Sequence, residues 1–177
     1  MMQHIDFRGV ARAGVLACML PLLLGATSFR WDIDARLLDA HNRERNATGL
    51  QPMEWDERLA DDARAWGEHL AATGRFEHYE DVSDAETGQG ENLWMGTAYY
   101  FALETMVGHW IEEKQHYVPG VFPEVSATGD LADVGHYTQI VWRDTHRVGC
   151  ALVDGGEDEY LVCRYSAAGN VIGEIAY

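Results

Sequence analysis

Cysteine is scarce in this chain of 177 residues, with three in all, and basic residues are few: 13 Lys and Arg stand against 29 Asp and Glu. A formal net charge of −16 repels phosphate backbones, and there is no basic stripe or Lys/Arg cluster to overcome the repulsion. Nucleic-acid binding and charge-driven attachment to anionic membranes are therefore disfavoured. The chain holds no G-x-S-x-G nucleophile elbow, no HExxH helix, no internal repeat and no low-complexity tract. Those absences remove the common serine-hydrolase and metalloprotease signatures and the solenoid architectures. The acidity itself reads as a well-solvated, salt-tolerant surface.

The first 28 residues differ from the rest. Arg8 and Arg12 precede an uncharged apolar run from Ala13 to Leu24, which ends in the small-x-small triplet Ala26-Thr27-Ser28. This is the pattern of a secretory signal peptide. The run is shorter than the ~20 apolar residues that span a bilayer and is interrupted by Pro21. Cys18 lies inside the run, not at its end, which argues against lipidation. Residues 1–28 are thus expected to be a cleaved leader and residues 29–177 one domain, released to the medium or periplasm without a transmembrane anchor. Cleavage would take the net charge from −16 to −17. A chain this long buries one full core and has no room for two.

Helical periodicity marks Trp31–Arg45, with Asp32 or Asp34 as its cap and Gly49 and Pro52 as its break. A second helix starts at Asp56, a good N-cap, places Leu59, Ala60, Ala63, Trp66 and Leu70 on one face, and stops before Gly74. Residues 80–90 read as an acidic loop, and Ala98–Tyr117 as a third helix. Gly135–Trp142 reads as a strand. The runs 148–153 and 159–165 read as a hairpin turning about Gly156 and Glu157. That register sets Asp154 opposite Glu159 and Cys150 opposite Cys163, within reach of a disulfide. Two cysteines left in an exported chain pair; two buried thiols would require a reducing compartment. Helices first and antiparallel strands last define an α+β domain.

Several separate motifs carry a family likeness. Gly135-His136-Tyr137-Thr138-Gln139-Ile140-Val141-Trp142 and Tyr160 to Asn170 resemble the two signatures of the CAP superfamily, the cysteine-rich secretory, antigen 5 and pathogenesis-related proteins. His41-Asn42, Arg45, Gly49, Pro52 and Trp55 resemble its first-helix block. Gly90-Glu91-Asn92-Leu93 resembles its GEN loop, and Trp110 with Glu113 its W-x-x-E helix. The resemblance covers about residues 33–177. It implies a three-layer α-β-α sandwich with a central antiparallel sheet, and it supports the Cys150–Cys163 pairing. Two further disulfides common in the family have no cysteines here, and a cysteine-rich extension after the domain is not expected.

The resemblance also implies a cleft of two histidines and two glutamates, which fall on His78, Glu91, Glu113 and His136. Around His78 the family's usual neighbours are replaced by Phe76-Glu77 and Tyr79-Glu80. Neutral imidazole suits zinc or another divalent transition metal, with carboxylates as ligands or ring orienters. The alternative is a polar network that only ties elements together. His109 with Glu113 and Glu112 with His116 are spaced i,i+4, a spacing equally common on solvated helices. Trp66, Trp110 and Trp142 read as core aromatics. No catalytic residue is assigned. The favoured reading is a secreted, non-catalytic binding module for a lipid, glycan or protein ligand. A metal-dependent hydrolase of peptidase type and a sterol-binding protein are the alternatives.

Overall fold

The computed structural model describes residues 31–79 and 88–177. The expected leader at 1–28 and most of the acidic loop, residues 80–87, lie outside the described residues. The elements run α1 (Ile33–Ala47), β1 (Glu54–Trp55), α2 (Glu57–Thr73), β2 (Gln89–Thr97), α3 (Leu103–Glu112), α4 (Gly135–Ile140), β3 (Arg147–Asp154) and β4 (Asp158–Ser166).

Four strands form one sheet in the order β1-β3-β4-β2. The β2–β4 and β3–β4 pairs are antiparallel, whereas the two-residue β1 pairs with β3 in parallel. The sheet is therefore mixed, not purely antiparallel. Helix α2 covers one face, where Ala63 and Leu70 pack with Leu93, Ala151, Tyr160 and Val162. The larger core lies on the other face, uniting Leu37 of α1, Met106, Val107 and Trp110 of α3 and Tyr137 and Ile140 of α4 with Leu161 and Tyr165. These layers are the expected α-β-α arrangement.

The start of α2 is set by Asp56, whose carboxylate accepts the amides of Arg58 and Leu59. Its end is set by Gly74 at φ 66°, a left-handed position that glycine adopts without Cβ strain. Gly149 of β3 lets the helix approach, since a Cβ there would stand 2.3 Å from the Ala60 nitrogen and 2.4 Å from the Asp56 carbonyl oxygen. At α1, Asp32 occupies the N-cap position without a side-chain cap bond, so that helix is held by packing of Leu37, Ala40 and His41. The Arg36–Glu104 ion pair, with two hydrogen bonds at 2.8 and 2.7 Å, also ties α1 to α3.

The hairpin forms in the expected register, with Asp154 opposite Glu159 and Cys150 opposite Cys163. The two cysteines are joined by a disulfide. Two other expectations fail. The third helix spans ten residues, not the twenty of 98–117; Tyr99 turns the chain at φ 62° before it, and a 3₁₀ turn, Glu113–Gln115, follows it. The segment expected as a strand at Gly135–Trp142 is helix α4 followed by a turn. Tyr137, Thr138, Gln139 and Ile140 are all buried, so no exposed face prints a helical period on the sequence. The Thr138 hydroxyl lies 3.0 and 3.2 Å from the carbonyls of Val134 and Gly135, folded back on the preceding turn as Thr does inside a helix.

Candidate functional site

Arg45 fixes the C-terminal end of α4. Its buried guanidinium donates to the carbonyls of Gln51, Ile140, Trp142 and Thr145 at 2.8 to 3.0 Å. Burial lowers its pKa to about 10, so it remains a cation at neutral pH, solvated by carbonyl dipoles in place of water. The far side of α4 is held by the Gly169-Asn170 pair. Asn170 accepts from the Thr138 hydroxyl at 2.6 Å and donates to the Gly135 carbonyl at 2.9 Å. The Gly169 amide donates to Gln139 at 2.8 Å. The two sequence signatures thus brace each other.

His136 stands at the start of α4 and its ring stacks on Trp110, with centroids 5.9 Å apart. Glu113, in the 3₁₀ turn after α3, accepts from His136 Nδ1 at 2.5 Å through Oε1. Its Oε2 accepts the backbone amides of His136 and Tyr137 at 2.9 and 3.0 Å. One carboxylate therefore both caps α4 and orients the imidazole.

The second pair is built on β2. Glu91 Oε1 accepts from His78 Nδ1 at 2.7 Å and from the Tyr79 amide at 3.1 Å. Its Oε2 lies 3.0 Å from Arg164 Nε in an ion pair whose side chains are 1% and 5% exposed. Glu91 is on the strand, not in the loop expected of it, and shares a face with Leu93, which packs on α2. Asn92 points the other way and donates to the His136 carbonyl at 3.1 Å. The two His–Glu pairs thus flank β2, an edge strand, from opposite faces.

A carboxylate only accepts, so each histidine spends its Nδ1–H on a glutamate and keeps the Nε2 lone pair when neutral. No Nε2 of either ring hydrogen-bonds a described residue. The His78 side chain is 61% exposed and that of His136 30% exposed. Each nitrogen suits a divalent transition metal by its chemistry, an intermediate-soft donor aligned by a carboxylate, but the structure brings the four residues together only as two separate pairs, with no three of their ligand atoms within 4.8 Å of one another.

The one group of three or more metal-type donors within 4.8 Å of one another, among the described residues, is a different one: His41, Cys150 and Cys163. Both sulfurs are in the disulfide and offer no thiolate. His41 donates from Nδ1 to the Leu37 carbonyl at 2.7 Å and accepts the Tyr165 hydroxyl on Nε2 at 2.8 Å. It is a saturated core histidine whose pKa burial lowers to about 4. Nor do the i,i+4 pairs of α3 form a site: His109 Nδ1 accepts the Trp94 indole N–H at 2.9 Å, and Glu113 is engaged with His136.

The chain belongs to the cysteine-rich secretory protein family, CAP, whose model matches residues 38–165. Among curated relatives, pathogenesis-related protein 1C of Nicotiana tabacum is 39% identical over 142 residues, covering 79% of this chain and 78% of that protein. Pathogenesis-related protein 1B of the same plant is 36% identical over 165 residues, 92% of each chain. Among solved structures, NaASP2 with Zn2+ superposes with a TM-score of 0.69 at 23% identity, covering 82% of this chain and 84% of that one. Na-ASP-1 superposes with a TM-score of 0.68 at 21% identity, and this chain spans 41% of its length. No helix among the described residues is long and apolar enough to cross a membrane.

Proposed function

We propose that the chain is an exported, non-catalytic binding module in which His78 and His136, oriented by Glu91 and Glu113, hold zinc or another divalent transition metal. Export rests on the charged-then-apolar leader at residues 1–28, with residues 29–177 as the mature domain. The observation that carries the metal reading is the use of Nδ1, and not Nε2, for the carboxylate in both pairs. In this reading the two rings, which stand apart across the edge strand β2, close on one ion through their Nε2 atoms when it binds, and the glutamates act through the rings.

A metal with two protein nitrogens keeps positions for water, which favours the hydrolase alternative. The same structure argues more strongly against it. A general base must be free to take a proton. Glu91 is buried against Arg164 and Glu113 is occupied by three N–H groups. Neither carboxylate is free.

Calorimetric titration of zinc into chelator-stripped protein tests the reading. Saturable binding that is lost in His136→Ala and in His78→Ala, and kept in His109→Ala and His116→Ala, is expected. Binding that survives loss of both His78 and His136 places the metal elsewhere.

A further inference from the structure

Beside the His78–Glu91 pair, between α2 and the open end of the sheet, lies a cavity of about 280 Å³ lined by Asp62, Ala65, Trp66, Tyr79, Gln89 and Arg164. Its volume is at the small end for ligand pockets, the size of a single ring and its substituents. Two of its walls are aromatic. Trp66 meets Tyr79 edge-on at 5.1 Å and is backed by His69, stacked at 4.6 Å. Its indole N–H is spent on the Glu77 carbonyl at 3.2 Å, which fixes the ring.

The polar side of the pocket is a row of planar groups already in register. Gln89 donates to Asp62 at 2.8 Å and accepts from Arg164 at 3.5 Å. Arg164 also sits 4.8 Å from the centre of the Tyr79 ring. The amide, carboxylate and guanidinium thus present a fixed set of donors and acceptors next to aromatic carbon.

Charge narrows the ligand. Arg164 is neutralised by Glu91, and Asp62 is acidic, so an anion meets no uncompensated positive charge in a protein of net charge −16. A cation is drawn by Asp62 and the aromatic faces, but a quaternary ammonium offers the polar row no hydrogen bond, and choline in the test below reads that alternative. A purely apolar ligand strands the polar row, at the cost of its hydration. A neutral ring with apolar C–H faces and equatorial hydroxyls satisfies both walls. We propose that this pocket binds a neutral pyranose unit of a glycan. The proposal rests on the binding-module reading above but not on its metal. Because Tyr79 and Arg164 also hold Glu91, the sugar pocket and the His78 pair share a wall.

The test is a titration of chelator-stripped, isotopically labelled protein, following the Trp66 indole N–H by NMR. The probes are chitotetraose, cellotetraose and mannotetraose, with choline and a heparin tetrasaccharide as the charged counterparts. At least one neutral tetrasaccharide is expected to shift the Trp66 signal saturably at millimolar concentration or below. Asp62→Ala, at an exposed position, is expected to weaken that sugar at least about tenfold, the loss of one good polar contact. Ala65→Trp, which fills the pocket from the helix surface, is expected to abolish it. No saturable shift with any neutral sugar overturns the proposal, as does a response to choline or heparin alone. Sugar binding indifferent to both substitutions also overturns it. Zinc titration of the same metal-free sample reads the metal proposal separately, so either can fail without the other.

Discussion

Glu113 grips His136 at two points and its neighbour Tyr137 at a third, taking the ring Nδ1–H at 2.5 Å on one oxygen and the backbone amides of His136 and Tyr137 on the other. Glu113→Ala removes the ring orienter and the cap of α4 together. Hydrogen bonds to a charged group contribute about 1.5–3 kcal/mol. A stability loss of about 2 kcal/mol in urea denaturation is expected, with zinc affinity lowered about 10- to 100-fold. Unchanged stability would show that α4 does not depend on this carboxylate.

Glu91 and Arg164 form a buried ion pair, and its two halves are not equivalent to their absence. Glu91→Gln leaves the guanidinium buried without its counter-charge, which costs about 3–5 kcal/mol. The double variant Glu91→Leu, Arg164→Met is expected to recover most of that loss. Equal destabilisation by the single and double changes would contradict the pairing.

His41 is the acid-sensitive point of the core. Burial lowers its pKa to about 4, while an unfolded histidine titrates near 6.5, so the unfolded chain binds the extra proton between those values. Stability from this group is complete above pH 6.5 and falls with pH down to about 4, by about 3 kcal/mol in all. His41→Gln starts less stable at neutral pH and is expected to show a correspondingly flatter profile over that window. Parallel profiles for the two proteins would rule His41 out as the source.

The Cys150–Cys163 bridge closes a loop with a sequence separation of 13 across the β3–β4 hairpin. Loop entropy assigns such a closure about 3 kcal/mol. Non-reducing peptide maps should recover the linked pair, and the double alanine variant should lose about that much stability. Free thiols in exported, natively folded protein would contradict the bridge.

The hairpin was legible in the sequence because its register follows from counting across Gly156 and Glu157, and α2 because Asp56 and Gly74 mark both ends. The parts that misled are buried. Helix α4 is buried from Tyr137 to Ile140, so it prints no polar face, and its aromatic and β-branched residues Tyr137, Thr138 and Ile140 read as a strand. Its cap, Glu113, comes from another element and leaves no local signal. The set of His78, Glu91, Glu113 and His136 came from likeness to a family, since no spacing rule connects a strand, a 3₁₀ turn and a loop, and which histidine meets which glutamate is seen only in the structure. Trp66, expected as a core aromatic, is only half-buried and forms a pocket wall instead. Arg164 was not singled out at all. Its partner across the sheet is Glu91, two strand positions that pair only once β2 and β4 are placed side by side.

X-ray absorption at the zinc edge, on protein loaded with one equivalent of zinc, tests the metal centre most directly. Nitrogen and oxygen scatterers at about 2.0–2.1 Å with imidazole outer shells are expected, and sulfur at about 2.3 Å is not. A sulfur shell would mean that the disulfide had opened and that zinc sits with His41, Cys150 and Cys163. That result, or zinc without imidazole around it, would contradict assignment of the metal to His78 and His136.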